Sequence, residues 1–320
     1  MIRYSDIMRT RGFVTIATGG EMYYKLARNL LCSYRFHNPD GLPFAIICDE
    51  ENKFTSGFDD VVLMDNPSFS PVDKLRLTDL APYDETIFID SDCLVYRNLD
   101  GLWDFFKNSP DFGVLGSLYP FGSSEAWFTK EDAGPFKDKV GSSLAYQGGI
   151  LFVRKKGLEE FSAICQYIYN HYSDFSFNGY PVPGILTDDT IIALACSVCG
   201  FNPVTKWHKV FCYIPESDIK RMDIKTGDLE YLWLVEDICL GEDCYLVHFG
   251  TRFIDKWLYR REAYRGRCLA GGRRPLISVL IAIRISTWFE GLIRRVWPII
   301  LRIVPLKVKA FVYRVIHGSQ

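Results

Sequence analysis

Residues Phe13–Ala17 (F-V-T-I-A) form a short run of β-branched and aromatic side chains that stops at Thr18-Gly19-Gly20. A continuous apolar run bounded by glycines predicts a buried strand. Glu21–Phe36 follows with Leu26, Leu30 and Leu31 on one side at helical spacing. Phe44–Cys48 and Val61–Met64 read as the second and third strands, Val72–Leu80 as a helix, Thr86–Ile89 as the fourth strand and Leu99–Phe106 as a helix. This alternation predicts an α/β fold with a mainly parallel central sheet covered by helices. In such sheets ligands meet the carboxyl ends of strands. Thr18-Gly19-Gly20 and Asp90-Ser91-Asp92 both fall at strand ends and are expected to face one crevice.

The middle of the chain is less regular. Pro110–Lys139 is rich in Gly, Pro, Ser and aromatics and reads as a long loop or lid. Tyr146–Val153 reads as a strand opened by Gly148 and Gly149. Gly157–Tyr172 and Asp188–Cys199 have helical character, and Tyr245–Phe249 is a late strand carrying His248 near its end. From Leu276 onward apolar runs are interrupted by Arg284, Glu290, Arg294, Arg295 and Arg302. No uncharged stretch approaches the roughly 20 residues that span a bilayer. At helical spacing Arg284, Arg295, Arg302 and Lys309 share one narrow face. Pro298 and Pro305 are expected to break or kink a single helix. The prediction is two or three short amphipathic helices, basic on one side and rich in Trp, Ile, Leu and Val on the other. That is the pattern of an interfacial membrane helix, with Trp288 and Trp297 suited to the headgroup region.

Charge sharpens this division. The 320 residues carry a formal net charge of only −2. Yet residues 252–320 hold 15 Lys and Arg against 3 Asp and Glu, leaving 22 against 36 in residues 1–251. An acidic body with a basic tail points to an anionic surface as the tail's partner, here a membrane contacted through residues 273–317. No nucleic-acid partner is expected, and the sequence leaves the oligomeric state open. The amino-terminal stretch has charges but no apolar core, so a cytoplasmic body on the inner face of the membrane is expected. Ten cysteines occur, several inside apolar runs, which favours reduced, buried thiols over a disulfide framework. Cys196-x-x-Cys199 and Cys239-x4-Cys244 have a loose thiolate-site spacing, but nothing in the sequence brings the pairs together.

The chemistry concentrates at Asp90-Ser91-Asp92. Two carboxylates one residue apart at a strand end point to the same side and suit a divalent cation with hard oxygen ligands. Such an ion bridges phosphate oxygens and neutralises a leaving diphosphate. The surrounding text, Lys74-Leu75 followed by A-P-Y-D-E-T-I-F-I-D-S-D-C-L-V-Y-R-N-L-D-G-L-W, closely resembles glycosyltransferase family 8. That group includes glycogenin and bacterial lipopolysaccharide galactosyltransferases. The resemblance covers roughly residues 13–257 and is strongest from Lys74 to Trp103.

It implies a GT-A fold over residues 1–257, with a nucleotide-binding half (1–110) and an acceptor half (111–257). A basic amphipathic tail follows over 258–320. It also implies a retaining hexosyltransferase that uses a UDP-sugar with Mn²⁺ or Mg²⁺. By resemblance Ala17 and Thr18 touch the nucleotide, Tyr24 (or Tyr23) stacks on the base, and Asp90, Asp92 and His248 hold the metal. Lys74, Ser91, Gly250 and Arg252 or Lys256 meet the diphosphate. Gln147 and one of Asp188 and Asp189 meet the donor sugar. The family's amide after the acidic residue is absent here, and its K-P-W motif is not preserved around Lys256-Trp257. The acceptor is expected to be a glycan, and a lipid-linked, lipopolysaccharide or capsule saccharide suits the tail. Two rivals remain at this stage: a haloacid-dehalogenase-type phosphatase, and an inactive sugar-nucleotide-binding membrane protein.

Overall fold

The computed structural model describes residues 10–175, 187–205, 210–234, 238–240 and 244–303. In chain order its strands are β1 (Arg11–Ala17), β2 (Phe44–Cys48), β3 (Asp60–Leu63), β4 (Glu85–Ile89), β5 (Cys93–Val95), β6 (Phe112–Tyr119), β7 (Ser143–Arg154), β8 (Phe211–Tyr213), β9 (Ser217–Asp223), β10 (Asp228–Trp233), β11 (Ile238–Leu240) and β12 (Leu246–His248). Its helices are α1 (Glu21–His37), α2 (Leu77–Leu80), α3 (Leu102–Phe106), α4 (Glu159–Asn170), α5 (Asp188–Cys199), α6 (Trp257–Ala270) and α7 (Ile277–Ile303).

The central sheet runs β3-β2-β1-β4-β7-β6. Its first four strands are parallel, while β7 is antiparallel to both β4 and β6. The parallel strands are continuous apolar runs because helices cover both faces. In β2 every residue is buried, and each fully buried Phe or Ile contributes about 1.5–3 kcal/mol. One core joins β1, β2 and β4 to α1, β5, β12 and α6; the other joins the opposite face to α4 and α5. Helix α1 carries Glu21 in its first turn, favourable toward the helix dipole. It ends at Asn38, whose amide nitrogen donates to Tyr34 O (3.0 Å) and whose side-chain oxygen accepts from Leu99 N (2.7 Å). Helix α5 stops at Gly200, which takes the left-handed conformation of a C-cap.

Three expectations are corrected. The stretch 110–139 is not a loop throughout: it contains the eight-residue strand β6 and a 3-10 turn, Glu131–Phe136. Glycines hid that strand, and Gly116 is needed because a β-carbon there would lie 2.3 Å from Ala145 O. Secondly, α6 begins at the edge of the expected tail yet packs on α1. Tyr259, Glu262, Ala263, Gly266 and Cys268 are buried, and Asn29 donates to the Tyr259 hydroxyl (3.1 Å). Thirdly, where two or three short helices are expected, α7 is one helix over Ile277–Ile303 that includes Pro298. Proline removes one hydrogen bond, and the bonds on either side of it carry the helix on. Pro305 and Lys309 lie outside the described residues.

The outward face of α7 also differs from the expected segregation. Ile277, Ile281, Ile285, Trp288 and Leu292 are exposed at helical spacing, with Trp288 63% exposed. Arg284 lies on the same arc by that spacing and reaches back over the Trp257 ring (5.5 Å). Arg260 of α6 pairs with Glu290 (2.9 Å). Basic and apolar positions are interleaved on α7 rather than opposed. No helix among the described residues is long and apolar enough to cross a membrane.

Candidate active site

Strand β4 lies in the middle of the sheet and delivers Asp90 at its carboxyl end. The Asp90 N–H donates to Gly149 O (2.9 Å), and Cys93 N closes a tight turn onto Asp90 O (3.0 Å). That turn sends the chain into β5, which pairs antiparallel with β12 and sets His248 opposite Cys93. The register brings the histidine to the acidic pair: His248 Nε2 lies 3.0 Å from Asp92 Oδ1 and 3.8 Å from Asp90 Oδ2. Lys74, on a 3-10 turn (Pro71–Arg76), reaches Asp90 Oδ2 (3.1 Å) and Asp188 Oδ2 (2.9 Å). Asp188 and Asp189 open α5 after the extended Thr187. Residues far apart in sequence, 74, 90, 92, 188 and 248, thus form one contiguous charged group.

Two glycines make the approach possible. A β-carbon at Gly148 would sit 2.5 Å from Asp189 Oδ1, and one at Gly149 would sit 2.8 Å from His248 Nδ1. Between Val114 and Leu115 the β6–β7 register shifts, and the glycines fall in the resulting bulge beside half-buried Gln147.

The electrostatics follow from burial and crowding. Burial opposes the Lys74 charge, but Asp188, Asp90 and Asp189 outweigh it and hold the Lys74 pKa well above its usual value. Burial also opposes the His248 charge, and Asp92 reverses that to push its pKa up. The Asp92 carboxyl is lowered by His248 despite its own burial. Asp90 is raised by burial, with Asp92 adding to the effect and Lys74 opposing it. Burial, reinforced by Asp188, pushes Asp189 up to about 7.

The donor set fits a divalent cation. Two carboxylates and one imidazole suit Mn²⁺ or Mg²⁺. His248 Nδ1 is buried with no hydrogen-bond partner among the described residues. The Cys93 thiol, which sequence reasoning passed over, offers a ligand atom within 4.8 Å of those of Asp92 and His248. The cross-strand pairing of Cys93 with His248 is the signal that finds it. No such group joins Cys196 and Cys199 to Cys244 among the described residues; the Cys239 side chain lies outside them, and the other nine cysteines are unpaired.

The remaining expected residues are placed as follows. Ala17 ends β1 and Thr18 follows it, and the Thr18 hydroxyl donates to Asp73 Oδ2 (2.9 Å). Tyr24 is 1% exposed and its hydroxyl donates to Asp49 (2.5 Å), so its ring offers no face for stacking; Tyr23 is exposed. Phe249 N donates to Asp92 O (3.3 Å), which sets Gly250 and exposed Arg252 directly after the site. Lys256 lines a groove of about 280 Å³ with Trp257 of α6 and with Arg284 and Trp288 of α7. Asp188 and Asp189 separate: the first holds Lys74, while the second faces Gly148.

No known family profile and no curated protein matches the sequence. Solved structures do match. An active-site mutant of LgtC aligns at a TM-score of 0.50 and 14% identity, over 81% of this chain and 95% of that one. WbbM, a bifunctional glycosyltransferase, aligns at 0.50 and 13% identity, over 85% of this chain and 53% of that one. A second LgtC structure, a galactosyltransferase with donor and acceptor sugar analogues, aligns at 0.48 and 14%, over 85% and 99% of the two chains. The chain therefore has the GT-A fold of these glycosyltransferases, a mixed α/β architecture with a mostly parallel central sheet.

Proposed function

We propose that this protein transfers a hexose from a UDP-sugar to a hydroxyl of a glycan acceptor. The observation that carries the reading is the convergence of Asp90, Asp92, His248, Lys74 and Asp188 at the carboxyl edge of a GT-A sheet. Asp90, Asp92 and His248 are the residues that would hold Mn²⁺ or Mg²⁺, which when bound supplies charge to a diphosphate. When the bond between the sugar and the diphosphate breaks, negative charge grows on the leaving oxygen. The Lys74 ammonium is fixed by Asp188 and needs no reorganisation to meet that charge. Arg252 adds a second cation by its position just after the site; Lys256 instead belongs to the groove against α7. Gln147 and Asp189, on either side of Gly148, orient the sugar hydroxyls.

The phosphatase alternative needs its nucleophile on the first strand of the domain, whereas Asp90 follows the fourth. The inactive-binder alternative is separated by turnover. Incubating the protein with a panel of UDP-sugars and Mn²⁺ should release UDP. Asp92→Asn should lower that rate by about 10²–10³-fold while leaving the circular dichroism spectrum unchanged. No release from any donor would sink the transferase reading, and undiminished rates in the variant would sink the metal assignment.

The α7 face supports a lipid-linked acceptor on the inner membrane surface. Its exposed Ile277, Ile281, Ile285, Trp288 and Leu292, interleaved with arginine, suit an anionic bilayer. Sedimentation with anionic vesicles should recover the protein, and Ile285→Glu with Trp288→Glu should release it. Equal recovery of both forms would refute the membrane contact.

A further inference from the structure

Among the described residues only Asn66 and Phe69 are non-glycine residues with positive φ, at 50° and 56°. Asparagine adopts that region readily, but a bulky aromatic does so only when its surroundings impose it. Phe69 as a whole is 61% exposed, so burial of the side chain does not compensate for the backbone conformation. Asp73 imposes the geometry. Its Oδ1 accepts from Ser68 N (2.8 Å) and Ser68 Oγ (2.7 Å), and its Oδ2 accepts from Thr18 Oγ1 (2.9 Å). One buried carboxylate therefore ties the end of β1 to the residue just before Phe69.

The consequence is a defined placement of the ring. Gly19, with φ of +85°, is separated from the end of β1 by Thr18 alone, and a β-carbon there would lie 3.3 Å from the Phe69 ring. The ring rests against the Gly19 backbone while much of its surface stays open. Beside it Gly20 has open space, and Gly19 N donates to Asp49 (3.1 Å). An exposed aromatic ring, held by a strained backbone at the carboxyl end of a central parallel strand, is a stacking surface waiting for a planar ligand.

We propose that Phe69 is the platform on which the base of the donor nucleotide stacks, the task for which Tyr24 is too deeply buried. This rests on the transferase reading, which supplies the nucleotide. Stacking on Phe69 secures the nucleoside end and contributes nothing to the diphosphate end at Asp90 and Asp92. The strain is retained because relaxing it would swing the ring off Gly19.

Calorimetric titration with UDP and with inorganic pyrophosphate, both with Mn²⁺ present, tests this. Phe69→Ala should weaken UDP about tenfold or more, the order of one base–aromatic stack, and leave pyrophosphate within twofold. Phe69→Tyr should keep UDP affinity. Phe69→Gly should raise Tm by about one to two degrees, because glycine accepts positive φ, yet weaken UDP as much as alanine does. UDP affinity within twofold of the unsubstituted protein in Phe69→Ala would overturn the platform, as would equal losses for UDP and pyrophosphate. If the unsubstituted protein bound no uridine nucleotide, the transferase reading would fall and the platform with it. If it bound UDP indifferently to Phe69, only the platform would fall.

Discussion

Two buried acidic groups in this molecule are built on opposite plans. Glu262, on α6, is 0% exposed and both its oxygens are fully engaged. Oε1 accepts from Arg261 Nε (2.6 Å) and Arg265 Nη1 (3.1 Å), and Oε2 accepts from Ile224 N (2.6 Å) and the Tyr96 hydroxyl (3.3 Å). The other arm of Arg265 holds Asp223 (2.7 Å). Two carboxylates meet two guanidinium groups. At the sheet edge, the cations that Asp90, Asp92, Asp188 and Asp189 meet among the described residues are Lys74 and His248. Even with His248 protonated, negative charge exceeds positive in a poorly hydrated place. A network that only holds a fold satisfies itself, because unpaired buried charge costs several kcal/mol. A network left short of positive charge is suited to take up a cation from outside.

That contrast can be broken at its strongest point. Glu262→Ala leaves two guanidinium groups without their buried partner and should cost about 3–5 kcal/mol. A Tm fall of about four to seven degrees is expected, with UDP affinity unchanged wherever the variant is folded. A cost below about 1 kcal/mol would mean that the closed network holds nothing together. The open network should respond to what it lacks. Mn²⁺ at a hundredfold excess over its Kd should stabilise the protein by about 2.7 kcal/mol. Chelation should reverse the gain, and Asp92→Asn should abolish it. A Tm indifferent to Mn²⁺ would remove the reason for calling the network open.

The smallest expected effect is in pH dependence. The folded protein holds the Asp189 pKa near 7, against about 3.9 for an unfolded aspartate. The folded state therefore binds the proton more tightly. Its stabilising effect is complete below about pH 4 and is lost as pH rises toward 7. Metal-free protein should melt a few degrees lower at pH 8 than at pH 5, and Asp189→Asn should flatten that difference. An unchanged slope in the variant would assign the titration to other groups.

The same contrast explains what could be read in the sequence. Strands β1, β2 and β4 were legible because a strand covered on both faces is apolar throughout. Asp90, Asp92 and His248 were legible because each stands at or beside the end of such a run. Glu262 was not legible. In W-L-Y-R-R-E-A-Y-R-G-R the charges look like a solvated face, and only the packing of α6 on α1 buries the glutamate. Strands β9 and β10 escaped for a related reason, since a half-exposed meander such as S-D-I-K-R-M-D carries four charges in seven residues. The division of labour between Asp188 and Asp189 was illegible too. Neighbours in sequence, they separate only when Lys74 chooses one and Gly148 makes room for the other.

Gly148 and Gly149 carry a consequence for anyone who needs this protein switched off. Neither has a functional group, yet one methyl at either position would intrude on the machinery: at 148 on the Asp189 carboxylate, at 149 on the His248 ring. A silencing allele made there would keep every charged side chain, and so every long-range field that draws in ligands, while denying them a seat. It would be a decoy rather than a knockout, able to compete for partners at the surface of the molecule without turning over what they bring.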